Sequence, residues 1–302
     1  MSTPPTLDEY KSIEGSPNYI KRDSLNNAST DINNPLVSII TISFNSERTI
    51  LKTISSVTKQ TYKNIQYIII DGGSSDKTIE IIKNYQKNIS IILTEKDKGI
   101  SDAFNKGLYL SKGKLIGIIN SDDWYESDAV EHVVNHWIEF GDGIFHGKLQ
   151  YWKNENIPYY IFSGRDDKLL NGMTINHPTT FVSKIIYEKI GLFNLNLKRA
   201  MDYDFLLRAK LNGEKFYYID KVISNMLLGG VSDSNWLNTY FEVFKIRNFN
   251  GLSKIKNYLI LTSSVLKTIV RIILESIGLQ TPVSFFRRNF SMVPKSDPRR
   301  RI

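Results

Sequence analysis

The sequence predicts an α/β fold of three layers, in which helices cover both faces of a central, mostly parallel sheet. Short runs of apolar, often β-branched residues recur through the first half of the chain. Segments with apolar residues at spacings of three and four separate these runs, as on one face of a helix. The loops that join each run to the next helix are polar. Uniformly apolar strands that alternate with amphipathic helices are typical of a parallel sheet buried on both faces.

The alternation extends from residue 35 to residue 140. The predicted strands span residues 35–43, 65–70, 90–95 and 114–120. The predicted helices span residues 45–60, 77–87, 101–113 and 127–140. Ligands of such sheets bind beyond the carboxyl ends of the strands, at the loops that follow. We therefore expect four loops to form one site: 44–47, 71–76, 96–99 and 121–124.

The pattern changes after residue 140. Antiparallel strands are predicted near residues 143–152 and 158–162, and a loop enters a further strand within residues 171–183. Short helices ended by glycine are predicted at 184–191 and 202–213, and a final strand pair at 215–228. The second half, to about residue 240, is thus expected to complete the same domain.

The two ends of the chain differ from this core. Residues 1–34 are polar without apolar periodicity, which predicts a flexible or loosely docked arm. Residues 241–302 hold twelve Lys/Arg and three Asp/Glu, whereas the other 240 residues hold 27 basic and 28 acidic ones. The net charge of +8 therefore belongs to a C-terminal helical basic extension, and it predicts no general binding of nucleic acid.

The extension contains one predicted amphipathic helix, residues 254–279, with a basic stripe and a wide apolar face. Such a helix can lie in a membrane interface or pack on the domain with its basic face solvated, and both readings stay open. The segments "FFRRNF" (285–290) and "PRRRI" (298–302) would suit anionic lipid. Peripheral membrane contact through residues 254–302 is our hypothesis.

Other classes of protein are made less plausible by what the sequence lacks. The chain has no cysteine, which excludes disulfides, cysteine-bound zinc and iron–sulfur clusters. The first residues do not resemble a secretory leader. No run of about 18 uncharged apolar residues occurs, so no helix is clearly predicted to span a bilayer.

Two adjacent carboxylates follow the fourth strand, in "GIINSDDWYES" (117–127). Adjacent acids repel each other, and a bound cation would offset that repulsion. Without Cys or His nearby, Asp122 and Asp123 suit Mg²⁺ or Mn²⁺ shared with phosphate oxygens. The alternative is that these acids cap the following helix.

A second acidic loop, "DGGSSD" (71–76), follows the second strand. Its two glycines permit a tight turn and close approach of the backbone to a ligand. The loop is neither a Walker loop nor a GxGxxG dinucleotide motif. Taken alone, it is equally consistent with an ordinary strand–helix turn.

Seven ordered stretches together resemble glycosyltransferase family 2, which are inverting nucleotide-sugar transferases with a GT-A fold. The stretches are "VSIITISFNSERTI", "SVTKQTYKNIQYIIIDGGSSDKT", "EKDKGISDAFNKG", "GKLIGIINSDDWY", "HPTTF", "AMDYDFLLR" and "GGVS". They cover residues 36–231 and look most like the bacterial enzymes that build surface polysaccharides. The resemblance implies a nucleotide-sugar-binding half (35–140) and an acceptor-binding half (141–240).

The resemblance also implies donor-binding roles. Ser43 and Asn45 would line the pocket for base and ribose, and Asp71 would accept from the N3–H of uracil. Asp102 and Asn105 would contact the sugar or hold the loops together.

The resemblance assigns the metal to the acidic pair. Asp122 and Asp123 would bind Mg²⁺ or Mn²⁺, which bridges them to the diphosphate. The family's usual acid two places before Asp122 is Asn120 here, which leaves one ribose or metal contact in doubt.

The resemblance places the general base at Asp202 in "AMDYDFLLR", beside the acceptor hydroxyl. The family's preceding acid is Met201 here, and Asp204 is expected to point away from Asp202. His177 of "HPTTF" would line the acceptor cleft, and "GGVS" (229–232) would close over the diphosphate. The alternative for Asp202 is an acid that complements the dipole of its helix.

The sequence thus predicts an inverting, metal-dependent glycosyltransferase. The donor would be a nucleotide-diphospho-sugar, with UDP as the nucleotide, and the acceptor a glycan on a lipid carrier. The enzyme would be cytoplasmic, peripheral on the inner face of the cell membrane. The rival readings are a sugar-binding or scaffold protein that lost activity and a sugar-phosphate nucleotidyltransferase.

Overall fold

The strands of the protein form one mixed sheet. A computed structural model describes residues 4–22, 32–154, 156–228, 235–277 and 295–296. The strands are β1 (Tyr19–Lys21), β2 (Val37–Ser43), β3 (Ile65–Asp71), β4 (Ile91–Thr94), β5 (Leu115–Asn120), β6 (Trp124–Tyr125), β7 (Ile144–Asn154), β8 (Ile157–Ser163), β9 (Thr180–Ser183), β10 (Phe216–Leu227) and β11 (Lys295–Ser296). The helices are α1 (Ile50–Thr58), α2 (Thr78–Asn84), α3 (Ile100–Leu110), α4 (Ala129–Phe140), α5 (Lys184–Ile190), α6 (Met201–Leu211), α7 (Trp236–Phe249) and α8 (Lys254–Ser276).

The sheet has the order β1-β4-β3-β2-β5-β9-β7-β10-β6, with β8 beside β7. Strands β4, β3, β2 and β5 run parallel, and β9 joins β5 to β7 by antiparallel pairing. The predicted α/β fold with a mostly parallel sheet is therefore confirmed. The carboxyl ends of β2, β3, β4 and β5 lie at one edge, and the loops that follow them start there.

Two apolar cores lie on the two faces of this sheet. Within β2, Ile40 belongs to one core and Ile39 to the other, and Ile68 and Ile69 of β3 divide in the same way. Successive side chains of a strand point to opposite faces. Burial on both faces is therefore the reason that these strands are apolar throughout.

The N-terminal residues 7–21 pack against the sheet domain. A 3₁₀ helix spans Leu7–Gly15, and β1 pairs with the outer strand β4. Tyr10 and Ile13 are buried in the core beside α3. The sequence suggested a flexible or loosely docked arm because two buried side chains in a polar segment create no periodic signal.

The second half differs from prediction in two further places. Residues 216–227 form the single strand β10, parallel to β7, where a strand pair was predicted. Irregular register between Ile219 and Ser224 breaks the alternation that a regular strand would show. The two-residue strand β6 was not predicted at all, and it pairs with Ser224 and Asn225 of β10.

Helices α7 and α8 form a hairpin beside the sheet domain. The buried Arg247 of α7 donates to Asn257 Oδ1 of α8 at 2.8 Å and to the Tyr203 hydroxyl of α6 at 3.1 Å. It also donates to the carbonyl of Leu170. These bonds attach the start of the extension to the domain. They agree in part with the alternative in which the predicted helix packs on the domain.

Most of α8 beyond this attachment is exposed. Within the described residues, Lys254–Leu274 is one helix long and apolar enough to cross a bilayer. Its exposed apolar side chains include Leu259, Leu266, Ile269, Ile272 and Ile273. The predictions for residues 229–232, 285–290 and 298–302 concern segments outside the described residues.

Candidate active site

A cleft of about 1760 Å³ opens at the edge where the parallel strands end. Loops from both halves of the chain line it, including residues of 42–49, 96–100, 120–122, 176–178 and 199–203. The hairpin β7–β8 and helices α7 and α8 contribute further walls. The convergence of distant loops that the topology predicts is therefore present.

Asp122 lines this cleft together with Asn120 and Ser121. The preceding strand β5 and the following strand β6 fix both ends of this acidic loop. The Asp122 side chain is exposed to the cleft, and partial loss of solvent around its carboxylate raises its pKa above the ordinary value. A cation bound next to this carboxylate would stabilise its ionised form.

Asp123 lies beneath the loop and is not among the cleft-lining residues. Neither of its carboxylate oxygens has a hydrogen-bond partner within the described parts of the chain. Burial, and secondarily the charge of Asp122, raise its pKa well above the ordinary range. The geometry thus presents Asp122 to the cleft, whereas a metal contact by Asp123, predicted from the sequence, would require the buried carboxylate to reach past the loop.

The carboxylates fit a divalent ion that a ligand helps to hold. Within the described residues, no group of three or more His, Cys, Asp or Glu could hold a metal ion. Mg²⁺ and Mn²⁺ are commonly bound by one or two carboxylates together with substrate phosphates. The cleft-facing Asp122 and the amide of Asn120 match such a donor set.

Asp71 organises the loop after β3. Its Oδ1 accepts from Ser43 Oγ at 2.9 Å and Ser74 Oγ at 2.6 Å, and its Oδ2 accepts from the N–H groups of Gly73 and Ser74 at 3.0 and 2.8 Å. A carboxylate has about four lone-pair positions, and all are used here. The buried Asp71 does not line the cleft, so its predicted contact with a uracil ring would require one of these bonds to break.

Ser43 and Asn45 line the cleft, and their contact with a base and ribose stays a prediction. Asn45 has a φ of 47°, a left-handed conformation that asparagine tolerates better than most residues. Its backbone N–H donates to Ser74 Oγ at 2.8 Å, and its Oδ1 accepts from the N–H of Ser75 at 2.9 Å. Asn45 therefore joins the loop after β2 to the loop after β3.

Asp102 and Asn105 are buried away from the cleft on α3. Asp102 accepts from the Tyr10 hydroxyl at 3.1 Å and from the N–H of Lys98 at 3.0 Å, and it pairs with Lys106 at 3.2 Å. Asn105 exchanges two hydrogen bonds with the backbone of Phe193, each 2.9 Å long. Of the two roles predicted for them, holding the loops together is the one that their contacts show.

Asp97 is a cleft-lining acid that the sequence reasoning missed. Its Oδ1 accepts from the N–H of Gly99 at 2.9 Å. Its Oδ2 lies 2.5 Å from the position that a Cβ at Gly72 would occupy. The absence of a side chain at Gly72 therefore leaves room for the Asp97 carboxylate. In the sequence, this relation is visible only when the "DGG" and "EKDKG" stretches are considered together.

Asp202 lies at the start of α6 and lines the cleft. Its Oδ1 accepts from the N–H of Tyr203 at 2.7 Å. Burial, and secondarily the charge of Glu242, raise the pKa of Asp202 to about 6. Such a carboxylate is ionised at neutral pH and yet close enough in pKa to accept a proton. Asp204, by contrast, is buried and paired with Arg208 at 3.0 Å, away from Asp202 as predicted.

Glu242 of α7 holds the segment of chain that precedes Asp202. Its carboxylate accepts from the N–H groups of Lys198, Arg199 and Ala200 at 3.2, 2.9 and 3.0 Å. Three bonds from consecutive residues hold the segment that leads into α6. Glu242 is therefore a positioning residue for Asp202.

The change Glu242→Gln is expected to move the acid limb of the pH–activity profile to lower pH. The negative charge of Glu242 raises the pKa of Asp202, so its removal lowers that pKa, and a base with a lower pKa stays deprotonated to a lower pH. Loss of a charged acceptor should also reduce stability by about 1–3 kcal/mol. The matched control is Glu188→Gln, which removes an exposed charge; an unchanged limb in the Glu242 variant would contradict the assignment.

His177 lines the cleft from the loop before β9, as predicted. Its ring stacks on Phe104 with centroids 4.9 Å apart. Burial lowers the pKa of His177 to about 4, so the ring is neutral at physiological pH. His177 thus offers the cleft an uncharged polar edge on an aromatic support.

Comparison with known proteins identifies relatives over most of the chain. The model of "Glycosyl transferase family 2" matches residues 38–203. A chondroitin synthase of Escherichia coli is 31% identical over 211 residues, which are 66% of this chain and 30% of that protein. The "UDP-Glc:alpha-D-GlcNAc-diphosphoundecaprenol beta-1,3-glucosyltransferase WfaP" of Escherichia coli is 29% identical, over 78% of this chain and 86% of that protein. The chain thus spans less than a third of the chondroitin synthase and most of the shorter relative.

Solved structures share the fold at low sequence identity. S. aureus TarS in complex with UDP-GlcNAc superposes with a TM-score of 0.59 and 19% identity, over 75% of this chain and 70% of that chain. The mannosyltransferase PcManGT of Pyrobaculum calidifontis, in complex with GDP-Man and Mn²⁺, superposes with a TM-score of 0.57 and 13% identity, over 85% and 75%.

Proposed function

Because the chain belongs to glycosyltransferase family 2 and has the GT-A fold, we propose that it transfers a sugar from a UDP-linked donor to a lipid-linked glycan, with inversion and with a divalent cation. The observation that carries the proposal is the presence of Asp122 and Asp202 in one cleft. These two acids come from opposite halves of the chain. One would serve the leaving diphosphate and the other the attacking hydroxyl.

The proposed donor site lies at the ends of β2, β4 and β5. Ser43 and Asn45 would contact the base and ribose. We propose Asp97, rather than the fully bonded Asp71, as the acceptor for the N3–H of uracil, because Asp97 lines the cleft and its Oδ2 accepts no hydrogen bond within the described residues. Support for a UDP-sugar comes from TarS, whose structure holds UDP-GlcNAc, and from the donor named for WfaP.

Asp122 is the residue we propose to face Mg²⁺ or Mn²⁺, with the Asn120 amide beside it. The ion, when bound, would offset the negative charge that develops on the leaving diphosphate. Support comes from the cleft-facing position of Asp122 and from the Mn²⁺ complex of PcManGT.

Asp202 is the proposed general base. The acceptor oxygen forms a bond to the anomeric carbon as the bond from that carbon to the diphosphate breaks. The hydroxyl proton passes to the Asp202 carboxylate, and UDP leaves. Attack opposite the leaving group inverts the anomeric carbon. The raised pKa of Asp202, about 6, suits this transfer near neutral pH.

A thermal-shift screen of nucleotide sugars with Mn²⁺ tests the donor assignment. A ligand at about 100 times its Kd stabilises the folded state by about 2.7 kcal/mol, so we expect Tm to rise by a few degrees with UDP-sugars. GDP- and CDP-sugars serve as controls for the base. A screen in which UDP-sugars give no rise, or in which another nucleotide gives the larger one, would contradict the proposal.

The acceptor and the location are proposed together. WfaP is named for a diphosphoundecaprenol-linked acceptor, and α8 of this chain exposes a wide apolar surface next to basic residues. We place the enzyme in the cytoplasm, peripheral on the inner face of the membrane. Co-sedimentation of the full chain with anionic vesicles tests this placement, and a chain that stays in the supernatant at low salt would refute it.

A further inference from the structure

Arg271 of the C-terminal helix α8 reaches the active-site cleft. Its Nε is buried and has no hydrogen-bond partner within the described part of the chain. No ion pair of Arg271 occurs among the described residues either. A buried Nε–H group without an acceptor is unfavourable, and a bound anion would supply the missing hydrogen bond.

The position of Arg271 is fixed by the packing of the helical hairpin. Less than one turn earlier, Thr268 is buried and bonds the Tyr240 hydroxyl of α7 at 2.9 Å. Thr239 and Val243 of α7 line the same cleft. Arg271 is therefore held at the wall that the hairpin forms, and is not a free surface side chain.

Arg199 is a second cation in the cleft with the same property. It precedes α6, three residues before Asp202, and its Nε is likewise buried and unpartnered among the residues described. Its backbone is held by Glu242 at 2.9 Å. A guanidinium can bind two phosphate oxygens at once through its fork of N–H donors, so two arginines that line one cleft and lack other partners are suited to a diphosphate.

Two diphosphates could occupy this cleft, that of the donor and that of a lipid-linked acceptor. The donor site proposed above lies at the strand ends with Asp122. Arg271 instead lies on a helix whose exposed side chains are largely apolar, among them Leu266, Ile269 and Ile273. A ligand that satisfies both features carries a diphosphate and a long hydrocarbon chain.

We propose that Arg271 and Arg199 form a subsite for the diphosphate of a prenyl-linked acceptor, with the prenyl chain along α8. The inference rests on the proposed function, because it assumes that the cleft binds a lipid-linked acceptor. It adds the residues that recognise the carrier, as distinct from the sugar that receives the transfer.

The test uses farnesyl diphosphate as a probe, titrated into the full chain in detergent. Loss of a charge-assisted contact with phosphate predicts that Arg271→Gln weakens binding about tenfold or more. The matched control is Lys267→Gln, which removes an exposed charge from the same helix outside the cleft, and should change the affinity less than about twofold. Arg271→Lys, which keeps the charge but loses the forked donor, should fall between the wild type and Arg271→Gln.

Titration of UDP with Mn²⁺ into the same variants separates the two diphosphates. The proposal predicts unchanged UDP affinity in Arg271→Gln. It is overturned if that variant loses UDP binding instead, since the subsite then serves the donor, or if the Lys267 control weakens farnesyl diphosphate equally. Failure here with intact UDP binding would leave the glycosyltransferase assignment standing, so the two failures are distinguishable.

Discussion

Replacing Asp202 by asparagine is expected to reduce sugar transfer about 10²–10⁴-fold while UDP still binds. Asparagine has nearly the same shape but cannot take a proton from the acceptor hydroxyl. The donor contacts proposed at Asn45, Asp97 and Asp122 do not involve this side chain. Transfer from a UDP-sugar and calorimetric binding of UDP, measured on the same preparation, give the two readouts.

The control for this variant is Asp204→Asn on the same helix. Asp204 is buried and pairs with Arg208 at 3.0 Å, so its loss should lower Tm. Because it does not line the cleft, the fraction that remains folded should turn over at close to the wild-type rate. Near-normal transfer by the Asp202 variant would remove Asp202 from the role of base.

Replacing Asp122 by asparagine is expected to have the second-largest effect, a loss of transfer that added Mn²⁺ does not restore. Asp122 is the acid that the loop between β5 and β6 presents to the cleft. An amide oxygen is a weaker ligand for a hard cation than a carboxylate. The readout is transfer rate against Mn²⁺ concentration, in which the variant should show little or no dependence.

Asparagine variants of two further acids serve as controls for this prediction. Asp76 also lines the cleft, but its carboxylate accepts from the N–H groups of Thr78 and Glu47, so Asp76→Asn should keep its response to Mn²⁺. Asp123→Asn should keep it as well, because the buried carboxylate does not line the cleft. Loss of the metal response in Asp123→Asn, but not in Asp122→Asn, would reverse the roles that we assign to the pair.

The sheet could be predicted from the sequence because its strands are buried on both faces. Side chains such as Ile39 and Ile40 must both be apolar when each faces its own core, and this produces an unbroken apolar run. The edge at which the loops meet follows from the parallel arrangement. The cleft-lining positions of Asn45 and Asp122 follow in turn from the loops that carry them, whereas the place of Asp202 was implied by the family resemblance.

Other features could not be predicted because single contacts between distant segments create them. Tyr10 packs into the core beside α3, where its hydroxyl donates to Asp102. Whether an acid faces a ligand or its own loop depends on local hydrogen bonds, which separate Asp97 from the saturated Asp71. The arrival of Arg271 in the cleft depends on how α8 folds back on α7, which helical periodicity does not encode.

The central claim is that Asp122 holds a divalent cation against the diphosphate of a nucleotide-sugar donor. Calorimetric titration of UDP into the wild type and into Asp122→Asn, each with Mn²⁺ and with a chelator, tests it most directly. We predict that Mn²⁺ tightens UDP binding by the wild type at least about tenfold, which is about 1.4 kcal/mol, and leaves the variant unchanged. Equal UDP affinity of the wild type with Mn²⁺ and with chelator would contradict the claim.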